Sequence, residues 1–486
     1  MEAFNVVSVG LPTQEFFVRC QVTVERQVPV MTEFAVRLLH IADRIPISVF
    51  ASYFGLGGSE CRDLLDSLAQ EGLIELQDDL ISLTSYASAR FVTSEDGIPR
   101  FTKIAERKTR TVFDLATFSP LPSRVASGAY WGNTLELDWS REQDSSSNTV
   151  DRASDAFHRN FTEIERINQS DETRRAFSVY KVEEISAGKR NTLPIPITFT
   201  IDVSGQVNYD FADELNYLPD TLRSRVIQLA AQRIGSLEKK QDQFKEFVSV
   251  FEDEVLRRYL EPDGMRFGDY IREVHATDEG VTYDTGQTNS VLGALYMTRN
   301  MTQVVSEIKR SFSQISRLPE DERLHEIFWV LPESSLWGRT ELVKDLLQGI
   351  QEAAEEEFEF SIEITAVCST DQFESESRLA QVARPLLDAG FSDVLLGPGL
   401  SNAERFELLL LPGFYMAALY QASAAGSSVH VPVGFQTTNK RKLKKAMVFL
   451  QHICEKKLFR AYRGDDAGDR QITISEISAG DFFYFS

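Results

Sequence analysis

Leu64–Leu76 reads LLDSLAQEGLIEL, and Asp78–Thr84 reads DDLISLT. In the first stretch Leu64, Leu65 and Leu68, with Cys61 just before them, recur at helical spacing. Gly72 then stops the helix, because glycine tolerates the left-handed backbone that ends one. Leu73, Ile74 and Leu76 follow as a short strand, Gln77, Asp78 and Asp79 turn the chain, and Leu80, Ile81 and Leu83 bring it back. A helix running into a two-stranded hairpin is the expectation.

Two more helices are expected upstream. Thr32 can cap one whose apolar positions are Phe34, Val36, Leu38, Leu39 and Ile41. Pro46 opens a second, with Val49, Phe50 and Phe54 inward, and Gly55 closes it. Gly57 and Gly58 turn the chain, and Ser59 caps the third helix. Downstream, Thr84 caps a closing helix that runs through Phe91. Carried by the two quoted stretches and the helix spacing, residues 30–92 of the 486 resemble the winged-helix family. That resemblance implies a fold used for DNA in some members and for protein contacts in others. In the DNA-binding kind the third helix enters the major groove between phosphates. Here it carries Glu60, Asp63, Asp66 and Glu71 against Arg62 alone, and the hairpin adds Glu75, Asp78 and Asp79. Acids beside phosphates oppose the counterion release that drives DNA binding. Glu60, Arg62, Asp63 and Asp66 are therefore candidates for contacting a protein partner.

The whole chain holds 51 Lys and Arg against 73 Asp and Glu, a formal charge of −22, so contact with phosphates requires a local basic patch. Its length predicts several domains, and 42% apolar residues are enough to fold them. Cys20, Cys61, Cys368 and Cys454 are widely separated with no CxxC, which reads as isolated buried thiols with no disulfide framework or zinc site. No signal peptide or apolar span of about 20 residues is legible, so a cytoplasmic location is expected by elimination.

Between the module and the C-terminal region, Arg100–Arg110 (RFTKIAERKTR) sets Arg100, Lys103, Arg107, Lys108 and Arg110 against Glu106 and reads as a basic connector. The polar run Arg141–Asn148 reads as a loop. Phe177–Ile185 alternates as a strand, Gly188–Asn191 as a turn, Leu193–Val203 as an edge strand and Val207–Phe211 as a third. Asp220–Leu260 and Asn289–Ile315 carry apolar stripes and are expected to pair as a long helical hairpin. The expected division is 1–92, 93–218, 219–322 and 323–486, in an α+β multidomain chain.

From Leu324 strands alternate with helices, which predicts an α/β domain with a mostly parallel sheet. Ile327–Leu331, Phe358–Val367, Val394–Leu396, Phe406–Leu411 and Val429–Phe435 are its strands. Arg339–Glu355, Ser375–Ala389, Phe414–Ala422 and Lys440–Lys457 are its helices. Ligands in such sheets sit beyond strand carboxyl ends, at loops including Pro332–Ser335 and Gly397–Gly399. The two glycines of that GPG read as turn formers, since neither GxGxxG nor GxxxxGK[ST] occurs. RFELLLLPG (Arg405–Gly413) and VHVPVGFQTTN (Val429–Asn439) are similar to the second half of a phospholipase-D-like domain. The family's HxK pair is missing, which implies a site without its nucleophile. A basic strip stands out: Lys440, Arg441, Lys442, Lys444, Lys445, Lys456, Lys457, Arg460 and Arg463 against Glu455. It is the candidate phosphate-binding surface, or a contact for an acidic partner.

Catalytic and metal constellations are not legible. No histidine pair has i, i+4 spacing, no GxSxG elbow occurs, and Pro262–Asp263 is not followed by the ExK of a nuclease. No cofactor is called for. Three readings stay open. One is a non-catalytic accessory or scaffold subunit of a nucleic-acid-associated assembly, with protein partners and possible self-association. Its architecture resembles accessory components of genome-maintenance and phage-defence systems. Another is a phosphodiesterase or nuclease that brings His430, Asn439 and a lysine together. The last is a DNA-binding transcriptional regulator.

Overall fold

The computed structural model describes residues 1–26, 29–89, 101–122, 133–139, 149–168, 177–211, 213–237, 243–261, 264–274, 282–283, 286–323, 326–358, 362–370, 375–398, 404–424, 426–455, 458–464 and 472–477. The loop expected at 141–148, together with Arg100, Phe91, Pro262, Asp263, His275, His325, Lys456 and Lys457, lies outside them. The α+β expectation holds: the chain forms several sheets with helices packed on them. It divides into two compact units, one of 13–126 and 144–191, the other of 1–12, 127–143 and 192–486.

Strand β1 (Glu2–Arg26) is much longer than an ordinary extension before the 30–89 module. That module is built of α1 (Val30–Ala42), β2 (Arg44–Pro46), α2 (Ile47–Phe54), α3 (Gly58–Gln70), β3 (Ile74–Gln77), β4 (Leu80–Leu83) and α4 (Ser85–Ser88). Its strands form one small sheet, order β2-β4-β3, with Ile74 opposite Leu83 and Gln77 opposite Leu80. Ala35, Val36, Leu39, Phe50, Cys61, Leu65, Leu68, Leu73, Ile74 and Ile81 close its core. Gly55 and Gly72 take φ of 63° and 67°, the left-handed geometry expected at both helix stops.

β5 (Phe101–Asp114), β6 (Pro120–Leu121), β7 (Phe177–Ile201) and β8 (Val207–Phe211) join β1 in the order β6-β5-β1-β7-β8. β1 and β5 pair antiparallel from Thr13 opposite Asp114 to Arg26 opposite Phe101. The expected basic connector is therefore a strand, and two of its charges are taken up locally. Arg107 pairs with the buried Glu165 at 2.9 Å, and Arg110 pairs with Glu15. Phe16, Val18, Cys20 and Val22 alternate onto one face, where Ala153, Phe157, Phe161 and Ile164 of helix Thr149–Asn168 cover them. The turn expected at Gly188–Asn191 is not made, because β7 runs straight through it. Gly188 serves close approach instead of turning: a Cβ there would meet the Phe17 ring at 2.9 Å.

In the larger unit β9 (Leu260–Glu261) and β10 (Gly264–Met265) pair antiparallel as a two-stranded sheet, and the unit centres on a ten-stranded sheet. Its members are β11 (Thr282–Tyr283), β12 (Thr288–Leu292), β13 (Glu326–Val330), β14 (Glu363–Thr370), β15 (Asp393–Pro398), β16 (Phe406–Leu411), β17 (Tyr415–Ser423), β18 (His430–Thr437), β19 (Leu458–Arg463) and β20 (Ile472–Ile477). The order is β11-β12-β18-β17-β16-β13-β14-β15-β19-β20. Only β13, β14 and β15 are mutually parallel, so the mostly parallel sheet is corrected to a mixed, largely antiparallel one. The helix expected at Phe414–Ala422 is strand β17. Every residue from Tyr415 to Ala422 is buried, so no exposed face marks a period.

The long helical hairpin is also corrected. Its first arm is three helices, Asp220–Gly235, Phe244–Phe251 and Glu254–Arg257. Glu252 breaks the chain at φ 47°, and Asp253 restarts it by accepting from the N–H of Val255 at 2.7 Å. The second arm is β12 followed by helix Thr298–Ile315. That helix, with Leu342–Glu355 and Glu376–Ala389, covers the sheet face bearing Trp329, Leu409, Leu411, Ala417 and Leu419. On the opposite face, Phe247 and Phe251 stack with Phe406, Tyr420, Phe435 and Phe449.

Candidate interaction surfaces

In the 30–89 module the third helix is capped by Gly57, and Ser59 lies inside it. Glu60 Oε2 accepts the Gly57 N–H at 2.9 Å, so this candidate partner residue also holds the helix end. Arg62, Asp63 and Asp66 are exposed on α3. The helix expected to start at Thr32 starts at Val30, and Thr32 is buried. Two of its apolar positions lie outside the core: Phe34 and Ile41 are 51% and 84% exposed. At 3.6 residues per turn, Val30, Phe34, Arg37 and Ile41 fall within about 60° of one another, opposite Ala35, Val36 and Leu39. α1 thus carries two apolar stripes, one in the core and one outward. Val49 on α2, expected to face inward, is exposed, and so are Tyr53, Leu76, Leu80 and Tyr86.

The basic strip is divided over two elements. Lys440, Arg441, Lys442, Lys444 and Lys445 lie on helix Lys440–Cys454, and Arg460 and Arg463 on β19. Several of them face partners inside the unit. Lys442 is buried with its ammonium 5.0 Å from the Phe435 ring centre. Glu252 binds both Lys445 and Arg441, which holds the Glu252 carboxyl below its ordinary range, chiefly through the Lys445 hydrogen bond. Arg460 pairs with the buried Asp393 at 2.6 Å, and Arg463 pairs with Asp388. Lys440, Arg441 and Lys444 are the exposed cations of the helix. Beside them Val250, Val448, Phe449 and His452 line an open groove of about 550 Å³.

His430 and Asn439 do not meet. His430 begins β18 and Asn439 lies beyond its end, about 30 Å away along an extended strand. Asn439 caps helix Lys440–Cys454, its side chain accepting from the N–H of Arg441 at 3.0 Å. His430 instead edges a polar cavity of about 290 Å³ with Arg233, Glu333, Ser334, Ser335 and Ser428. Glu333–Ser335 follow β13, at one of the loops expected to face a ligand. Behind His430 the buried Arg405 donates to Tyr420 Oη at 3.2 Å and to the Gln421 carbonyl at 3.3 Å. Its other terminal nitrogen lies 3.1 Å from His430 Nε2. A guanidinium only donates, so Nε2 accepts and the ring proton sits on Nδ1. The Ser428 hydroxyl donates to the Ile234 carbonyl at 2.7 Å, which occupies its proton. Gly397 is not a turn former: it lies in β15, where a Cβ would come within 2.4 Å of Leu458 Cδ2.

The four cysteines are free and buried, as expected. Among the described residues no group of His, Cys, Asp and Glu could hold a metal ion, and no helix is long and apolar enough to cross a membrane. No family model matches the chain, and no curated protein matches it. Among solved structures it is similar to TrmBL2, an archaeal chromatin protein described with a novel mode of DNA binding. The identity is 9% and the TM-score 0.19, over 48% of this chain and 81% of that one. A likeness that slight carries neither fold nor function across.

Proposed function

We propose that the protein is a non-catalytic accessory or scaffold component of a cytoplasmic, nucleic-acid-associated assembly, and that residues 30–89 form a winged helix used for protein contacts. The observation that carries this reading is the outward apolar stripe of α1, set in a module with nine acids against three arginines. Exposed apolar side chains in such density favour burial against another protein. The surplus of acid disfavours a duplex. The test compares partners co-purified from the native host with the wild-type chain and with a Phe34→Glu, Ile41→Glu double variant. A partner retained by the wild type and lost from the variant, at unchanged melting temperature, is expected. An identical set of partners would overturn the reading.

A second surface is favoured by the exposure of Lys440, Arg441 and Lys444 together at the start of one helix. It is the part of the basic strip best placed to touch phosphates, and such contact would be strongly salt-dependent.

A further inference from the structure

We propose that the outward stripe of α1 is a contact between two copies of this chain, with α1 packing antiparallel on its counterpart about a twofold axis. This rests on the protein-contact reading above and names the partner. In an antiparallel pair related by a twofold axis, every contact is made twice, residue i meeting j and j meeting i. The stripe has that self-complementarity. Val30 and Ile41 are equidistant from a point between Ala35 and Val36, and so are Phe34 and Arg37. A twofold axis over that point sets Val30 against Ile41 of the partner subunit, an apolar pair at each end. It also sets Phe34 against Arg37 of the partner subunit, a cation over an aromatic ring on each side of the axis.

The flank supplies matching charge. Glu33 pairs with Arg37 in its own helix at 3.2 Å and lies one residue from Phe34. Across the axis it therefore comes beside Arg37 of the partner subunit, so each guanidinium gains a second carboxylate. A helix of 13 residues spans about 20 Å, so the interface is small and the expected affinity is on the order of micromolar.

Sedimentation velocity of the full-length chain, over dilutions through the micromolar range, tests this. The wild type is expected to pass from monomer to dimer mass as concentration rises. Ile41→Glu and Phe34→Glu should each weaken self-association more than about tenfold, because each brings a carboxylate into the apolar contact. Arg37→Glu should also weaken it, and a Glu33→Arg, Arg37→Glu exchange should restore it. Circular dichroism melting checks that each variant stays folded. A wild-type chain that is monomeric throughout would overturn self-pairing, yet loss of a different partner from the double variant would leave the docking reading standing. A dimer insensitive to all these substitutions would place the contact elsewhere and equally remove the proposal.

Discussion

Replacing Glu407 by glutamine should make the larger unit more stable at pH 8 and leave it nearly unchanged at pH 5. Glu407 is fully buried on β16, and its Oε1 accepts the indole N–H groups of Trp329 at 3.1 Å and Trp337 at 3.0 Å. Its Oε2 is buried with no hydrogen-bond partner among the described residues. Desolvation pushes the carboxyl up to about 7, and the two indole bonds only partly oppose it. A carboxyl held above its unfolded value binds a proton in the fold that it has released when unfolded. Its stabilising contribution is complete below about 4.5 and is lost as pH rises through about 7. The gap between those values corresponds to about 3 kcal/mol. Glutamine keeps the shape and the acceptor and removes the titration. Urea unfolding of both proteins, followed by tryptophan fluorescence from pH 5 to pH 8, reads the effect as the difference between them. Glu326 and Asp253, raised by burial to about 7 and about 6, contribute equally to both and cancel. A difference that is flat across this range would refute the reasoning.

Two further substitutions probe the frame. Asp114 is fully buried, accepting from the N–H groups of Ala116 at 2.9 Å, Thr117 at 2.6 Å and Ser119 at 2.7 Å; Asp114→Ala orphans all three donors and should cost about 3 kcal/mol or more in urea unfolding. Gly434 lies where β17 and β18 pair, and a Cβ there would come within 2.0 Å of the Ala418 carbonyl oxygen; Gly434→Ala should lower stability by roughly 3 kcal/mol, read as a fall in melting temperature and soluble yield.

The 30–89 module was legible because its signals are local. Gly55, Gly72 and Pro46 punctuate it where expected, and Thr84 caps α4 by accepting the Ala87 N–H at 3.1 Å. β17 was misread because a strand buried on both faces loses its period of two. β7 was split because Gly188 was read as a turn, when its bare Cα makes room for Phe17. The basic strip looked continuous because its counter-charges are remote in sequence. Glu252 lies 193 residues from Lys445, and Asp393 lies 67 from Arg460. The outward stripe on α1 was visible in principle. Val30, Phe34 and Ile41 recur opposite Ala35, Val36 and Leu39, but listing the apolar positions of α1 as one set concealed it.

Phe4 and Asn5 are anchored late in synthesis. The Phe4 carbonyl accepts the Ala294 N–H at 2.8 Å, and the Asn5 side chain accepts the Tyr296 hydroxyl at 2.9 Å across 291 residues of chain. A ribosome must therefore deliver everything up to Tyr296 before Phe4 and Asn5 find these partners. Until then Phe4, Val7 and Val9, all buried in the finished fold, are left exposed to water or to a chaperone. Synthesis in this order leaves an apolar strand uncovered during translation, and a pause ahead of Tyr296 would prolong that exposure.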